Sequence, residues 1–335
     1  MGSKLKAVGS KQWGSISMDS FLTHAGCRAV RRICTLAATA ACVWAVWNSE
    51  PGTWIAALPR CATDYHSQSE HLSRGNDPKS RETPYQFKVR SNMAAVADAD
   101  TSQMLYEKNL NKVTPIASIT KLMTAIVTLD AKLPLDDVVE VSKEDVDRLK
   151  GSRSFLSVGS RLTREDMLHI ALMASENRAA ACLSRYYPGG RPAFIEAMNR
   201  RAHELGMDST HFVSPNGLSA ENVSTALDLV RLVKAASEYP LIRHFTTDTQ
   251  YDVFVGKTGK KRLRYVNTDR LVGHPEWVIE LQKTGYISES GRCLVMEAQV
   301  DGRHLIMVFL DSIGKLTCFA DAKRVRKQLA LQRAR

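Results

Sequence analysis

Pro115-Ile116-Ala117-Ser118-Ile119-Thr120-Lys121-Leu122-Met123-Thr124-Ala125-Ile126-Val127-Thr128-Leu129-Asp130 is the stretch on which the fold and the chemistry both turn. Leu122, Met123, Ile126, Val127 and Leu129 recur at the spacing of an amphipathic helix. With Pro115 and Ser118 marking its start, the pattern predicts a helix over Ser118 to Leu133. Positions i and i+3 of a helix share a face, which sets the Ser118 hydroxyl beside the Lys121 amine. A serine hydroxyl is a weak nucleophile until a placed base takes its proton. Lysine is that base only when neutral, and burial or a second nearby cation disfavours its charged form. Ser118 also stands at the positive end of the predicted helix, whose free amides favour an oxyanion. On its own, Ser118 reads equally well as an ordinary N-cap serine.

Two further motifs follow in order, Ser175-Glu176-Asn177 and Lys283-Thr284-Gly285, and each of the three has rivals. S-x-x-K recurs at Ser3 to Lys6, in the leader, and at Ser312 to Lys315, in a strand-to-helix loop with Gly314. Neither copy offers a helix. Ser214-Pro215-Asn216-Gly217 repeats S-x-N but is strong turn chemistry, so it reads as a loop outside the site. Ser175 and Asn177 instead follow the apolar run Ile170 to Ala174, where polar groups entering a core need partners. A second hydroxyl there suits a proton relay to a leaving amine, and the Asn177 amide suits a substrate carbonyl. Lys257-Thr258-Gly259 precedes Lys260, Lys261 and Arg262 and reads as a solvated hairpin loop. Its likeness to a phosphate loop fails, because that motif needs glycine where Tyr251 stands and a helix afterwards. Lys283-Thr284-Gly285 closes the apolar run from Trp277 and precedes another strand, which predicts an edge strand able to pair with an extended peptide. Lys283 would attract a terminal carboxylate, Thr284 donate a hydrogen bond, and Gly285 leave room for close approach.

Further helices are expected at Thr163 to Ala174, Arg178 to Tyr187, Pro192 to Leu205 and Thr225 to Glu238, with a last basic one from about Phe319. Strands are expected on both sides of the turn-rich Asp98 to Ser102, and at Tyr251 to Val255, Leu263 to Val266, Trp277 to Gln282, Cys293 to Gln299 and Leu305 to Leu310. Strands at both ends of a chain with a helical middle imply a mixed α/β (α+β) fold. One antiparallel sheet is assembled from both termini, with helices packed on it.

The formal charge of +11 suits an anionic partner. Seven basic against two acidic residues in the first sixty carry +5 of it, and no Lys/Arg run interleaved with aromatics follows, so nucleic-acid binding is not expected. Ile33 to Trp47 is an uncharged apolar run preceded by Arg28, Arg31 and Arg32, the layout of an export signal. A retained N-terminal membrane anchor is the alternative, because no A-x-A-like cleavage site follows Trp47. Residues 1–47 are therefore read as a basic leader, 48–84 as a linker, and 85–335 as a single catalytic domain. None of the seven cysteines forms a C-x-x-C pair, so zinc and thioredoxin-like chemistry find no support. A disulfide among Cys61, Cys182, Cys293 and Cys318 stays open.

The motifs, with Ala171-Leu172-Met173-Ala174-Ser175-Glu176-Asn177-Arg178, Tyr187-Pro188-Gly189-Gly190 and Leu205-Gly206-Met207, resemble the low-molecular-mass D-alanyl-D-alanine peptidases of the bacterial periplasm, within the penicillin-binding and serine β-lactamase superfamily. The resemblance runs from about residue 90 to the end of the chain. It is closest to endopeptidases of the penicillin-binding protein 7 type, because Glu176 stands where the carboxypeptidase branch usually has glycine and no β-rich domain follows the last helix. It implies a β-lactamase/transpeptidase-like fold with a helical lobe, cleavage of D-alanyl to meso-diaminopimelate cross-links in peptidoglycan, and covalent inhibition by β-lactam antibiotics. No metal or cofactor is implied. Residue by residue, it implies Ser118 as nucleophile and Lys121 as proton acceptor. Ser175 and Asn177 would be relay and substrate ligand, and Lys283, Thr284 and Gly285 would bind substrate. The amides of Ser118 and Tyr286 would form the oxyanion hole. A carboxypeptidase releasing terminal D-alanine is the nearest alternative, and a penicillin-recognising sensor or inactive wall-binding scaffold is the alternative from another class.

Overall fold

An apolar run without polar alternation, such as Leu305 to Leu310, marks a strand covered on both faces. The computed structural model describes residues 85–256 and 260–333. The leader, the whole linker with Cys61, Ser3 to Lys6 and Lys257-Thr258-Gly259 lie outside the described residues. Strands β1 (Met93–Asp98), β2 (Met104–Lys108) and β3 (Thr114–Pro115) precede helix α1 (Thr120–Asp130). Then come β4 (Val138–Glu140), β5 (Arg161–Thr163), α2 (Arg164–Met173), α3 (Asn177–Arg185), α4 (Gly190–Glu204), β6 (Val223–Ser224), α5 (Ala226–Ser237) and α6 (Pro240–Thr247). The chain continues through β7 (Gln250–Val255), β8 (Lys261–Val266), β9 (Val278–Ile287), β10 (Gly291–Val300), β11 (Arg303–Ser312) and α7 (Thr317–Arg333).

Five antiparallel strands form the main sheet in the order β2-β1-β11-β10-β9. The N-terminal hairpin thus docks on the C-terminal strands, Val96 opposite Met307, as expected for a sheet built from both ends of the domain. Alternate residues of the central strands enter different cores. Met93, Ala95, Val295, Ile306 and Val308 face α5 and the helical lobe, whereas Ala94, Val96, Met296, Met307 and Phe309 face α7. Covering both faces accounts for the unbroken apolar runs in the sequence. β9 is left at the edge.

The lobe formed by α1 to α4 reaches this sheet through the Ala117–Ile119 turn, which packs on β9, and through α5, which packs on both α1 and the sheet. α1 departs from the predicted amphipathic helix, because every residue from Thr120 to Thr128 is buried, Lys121 among them. A helix enclosed on all sides needs no polar face, and its threonines find local partners: Thr128 Oγ1 donates to the Thr124 carbonyl at 2.7 Å and Thr124 Oγ1 to that of Pro215 at 2.5 Å. The helix also begins later than the spacing predicts. Ala117 has φ 48°, and Ala117–Ile119 forms a 3-10 turn before Thr120. Thr163 caps α2, accepting from the Asp166 amide at 3.0 Å while the Asp166 carboxylate accepts from the Thr163 amide, a box worth about 1 kcal/mol.

Other differences are local. α6 and the small β4–β5 and β3–β6 pairings were not legible as periodic segments, being two to eight residues long. β9 runs on to Ile287, so Lys283-Thr284-Gly285 lies inside the edge strand instead of closing it. β7 and β8 form a separate hairpin, and the chain beyond Lys257 to Gly259 enters a strand, not a helix, which removes the phosphate-loop reading. Ser312, of the second S-x-x-K copy, is buried and bonded to Ser91 Oγ at 2.7 Å. Cys182, Cys293 and Cys318 are buried free thiols. Among the described residues, no helix is long and apolar enough to cross a membrane.

Candidate active site

Three separate segments converge on the first turn of α1. Lys121 is 1% exposed, and its Nζ lies 2.8 Å from Ser118 Oγ, 2.7 Å from Asn177 Oδ1 and 2.7 Å from the Asn216 carbonyl oxygen. The latter two partners are acceptors only. A neutral amine has two N–H bonds and one lone pair. If it donates to both carbonyls, its lone pair is left for the Ser118 hydroxyl. Asn177 is held in that orientation by its own Nδ2, which donates to Ser152 Oγ at 3.1 Å.

The electrostatics favour the neutral amine. Burial holds Lys121 well below the usual lysine range, the Lys283 ammonium pushes it further down, and Glu176 partly opposes them. Lys283 is itself lowered to about 7 by burial, against the opposing pull of Asp269. Asp269 is raised to about 6, chiefly by burial, and its Oδ2 has no hydrogen-bond partner among the described residues. Two buried lysines in one field cannot both keep a proton cheaply.

The middle motif sits on a strained corner. α2 ends at Met173, the Ala174 and Glu176 amides both donate to the Ile170 carbonyl, and Ser175 between them adopts φ 60°. A left-handed serine costs about 1 kcal/mol or more. That turn aims Ser175 into the cleft, and Glu176 then caps α3 by accepting from the Arg178 amide at 3.1 Å. Ser175 and Asn177 therefore leave the junction on the same side.

β9 supplies the opposite wall. A Cβ on Gly285 would stand 3.0 Å from both the Ser118 amide nitrogen and the Ile116 carbonyl oxygen, so any side chain there would push the edge strand back from the nucleophile turn by a few tenths of an ångström. Thr284 Oγ1 donates to Thr268 Oγ1 at 2.6 Å, and Tyr286 is exposed with the Arg292 guanidinium 3.9 Å above its ring. Lys283 is 0% exposed and donates to the Thr284 carbonyl at 3.0 Å, so its charge reaches the cleft through the strand and not by opening onto it. The cleft between the walls, about 700 Å3, is lined by Ser118, Ser175, Asn177, Thr284, Gly285 and Tyr286. At its mouth Lys150 is ion-paired with Glu289 of the β9–β10 turn.

All eight residues expected from the sequence thus meet at one place, with Lys283 beneath the surface. One exclusion is overturned. The Ser214-Pro215-Asn216-Gly217 turn is a loop, as its chemistry predicts, but it belongs to the site through the Asn216 carbonyl. Asn222 staples it in place, its Oδ1 accepting from the Val213 and Ser214 amides and its Nδ2 donating to Thr120 Oγ1 at 3.0 Å. Ser152, Thr268 and Asp269 were also missed. Only the invitation of Pro-Asn-Gly to a tight turn was visible beforehand, and a backbone acceptor leaves no side-chain signature.

Residues 78–314 match the family described as D-alanyl-D-alanine carboxypeptidase, peptidase S11. The chain is 47% identical over 246 residues to a D-alanyl-D-alanine endopeptidase of Pseudomonas aeruginosa, covering 73% of this chain and 79% of that one. It is 45% identical over 244 residues to a D-alanyl-D-alanine endopeptidase of Escherichia coli, covering 73% and 78%. Among solved structures it resembles the Streptomyces K15 DD-transpeptidase, with a TM-score of 0.68 at 26% identity over 72% of this chain and 98% of that one. Penicillin-binding protein D2 of Listeria monocytogenes in its cefotaxime-bound form gives a TM-score of 0.63 at 28% identity, covering 72% and 98%. The chain belongs to the D-alanyl-D-alanine carboxypeptidase family, peptidase S11.

Proposed function

We propose that the protein is a periplasmic D-alanyl-D-alanine endopeptidase that hydrolyses D-alanyl to meso-diaminopimelate cross-links of peptidoglycan through an acyl-enzyme on Ser118. The observation that carries the chemistry is the Lys121 amine, with its two acceptors and its lone pair turned to Ser118. Lys121 takes the Ser118 proton as Oγ attacks the D-alanyl carbonyl carbon. The amides of Ser118 and Tyr286 receive the oxyanion. The C–N bond then breaks, and the proton passes from Lys121 through the Ser175 hydroxyl to the departing amine. Water attacks the ester, its proton passing by way of Lys121 to Ser118 Oγ as the C–O bond breaks, and a free D-alanyl carboxylate leaves. The extended substrate pairs with the β9 edge, and the buried Lys283 charge, conducted through Thr284, favours a carboxylate beside the leaving nitrogen.

The choice of bond is supported by the two relatives named endopeptidases and by a cleft that stays open beyond Ser175. β-Lactams would acylate the same serine. Digestion of purified cross-linked peptidoglycan with mass analysis of the products tests the reading. Dimers should become monomers, and Ser118→Ala should abolish both this and labelling by a fluorescent penicillin. Labelling that persists at another serine overturns the site. Loss of a single alanine with dimers intact makes the protein a carboxypeptidase instead.

A further inference from the structure

The cleft does not end at Ser175. A second cavity of about 710 Å3 continues from it, with Ser152, Ser175 and Thr268 shared between the two. Its outer walls are the segment Gly151 to Phe155, of which Ser152 alone reaches the acyl-transfer site by holding Asn177, and the end of β8 from Arg264 to Val266.

Three guanidinium groups and one carboxylate line this arm. Glu176 is buried and turned to the Arg178 amide, Arg178 holds the Leu156 carbonyl at 2.6 Å, and Arg264 is paired with Asp252 at 3.0 Å. Arg153 is exposed and, among the described residues, makes no ion pair or side-chain hydrogen bond. Beside it Phe155 is 69% exposed, edge-on to Tyr265 at 5.7 Å, and Val266 is 61% exposed. A free cation next to an apolar wall suits a peptide with carboxylates on aliphatic stems.

The direction of the substrate follows from the proton. To serve the departing amine, the Ser175 hydroxyl must come within about 2.6–3.2 Å of that nitrogen. Ser175 stands where the two cavities meet, so whatever is attached to the nitrogen continues into the second one. We propose that this arm receives the leaving strand of the cross-link, with Arg153 pairing a carboxylate of its stem peptide and Phe155 packing on the diaminopimelate chain. The assignment rests on the endopeptidase reading. When a lone D-alanine is the leaving group, it ends before Arg153.

The test compares kcat/KM of the full chain and of Arg153→Glu on a cross-linked tetrapeptide dimer and on a pentapeptide ending in D-alanyl-D-alanine. Acylation by fluorescent penicillin reports on folding and on the nucleophile. The expected result is a loss of about tenfold on the dimer alone, with the pentapeptide and the penicillin within about twofold of wild type. Arg153→Lys should restore much of the dimer activity. Equal losses on both peptides, or no loss on either, overturn the assignment. Wild-type protein that turns over the pentapeptide and never the dimer refutes the endopeptidase reading itself, and the assignment falls with it.

Discussion

Gly217→Ala should disable the site without touching a reacting group. Gly217 has φ 77°, where alanine costs about 1–2 kcal/mol. A Cβ there falls 1.9 Å from the Ala117 carbonyl oxygen and 2.9 Å from Thr120 Oγ1. The first of these is backbone at the head of the nucleophile turn, so the loop must yield. A tolerable C···O contact is about 3.3 Å, which moves residues 214–217 outward by about 1 Å or more. That shift takes the Asn216 carbonyl from 2.7 Å to beyond bonding reach of Lys121 and loosens the Thr124 bond to Pro215. Two hydrogen bonds at about 1 kcal/mol each, added to the backbone strain, give a loss of about 3–4 kcal/mol. Lys121 also loses one of the two acceptors that fix its lone pair, and misplacement by 1 Å costs about a hundredfold in rate. Urea unfolding and stopped-flow acylation by a fluorescent penicillin measure the two effects. A variant with an unchanged urea midpoint that labels at the wild-type rate would refute the pinning of Lys121 by this loop.

Lys283→Gln removes the second cation, so Lys121 should hold its proton to higher pH and the acidic limb of the acylation profile should shift upward; an unmoved limb would show no coupling. Because Lys283 titrates at about 7 in the fold against 10.5 unfolded, the unfolded chain binds more protons across that interval. Wild-type stability should therefore rise with pH from about 7 towards 10.5, and the variant should flatten that rise in urea titrations. Phe309→Ala, in the core between β11 and α7, should cost about 3–5 kcal/mol and lower Tm by roughly 10 °C, while the folded fraction still takes up penicillin. Unchanged melting would contradict the two-faced burial of β11.

The chemistry was legible where it depended on side chains at helical or strand phase. Ser118 and Lys121 three apart, polar Ser175 and Asn177 after an apolar run, and glycine within an edge strand all carried their meaning in residue type. Two kinds of feature escaped. The Asn216 carbonyl is a backbone group, and its role arises from a contact with a residue 95 positions away. The full enclosure of α1 depends on which neighbours cover it, so apolar spacing alone predicts an amphipathic helix where α4, α5 and the 214–217 loop in fact bury its threonines as well. The left-handed Ala117 and Ser175 were invisible for a related reason. Tertiary packing imposes those angles, and neither residue type announces them.

A strand with one free side is usually a hazard, because it invites the edge of another folded copy. Here the free side of β9 faces a second wall across the cleft, and the Lys150–Glu289 pair spans the mouth. A lone extended peptide brings only its own backbone into that slot. A strand still attached to a sheet brings a neighbour about 4.8 Å away and layers packed above and below it, which must all contend with the opposite wall. Along Thr284 to Ser288 the slot therefore favours a single flexible wall peptide over folded protein, so the stretch of edge that works on substrate is also the stretch a second sheet reaches least easily.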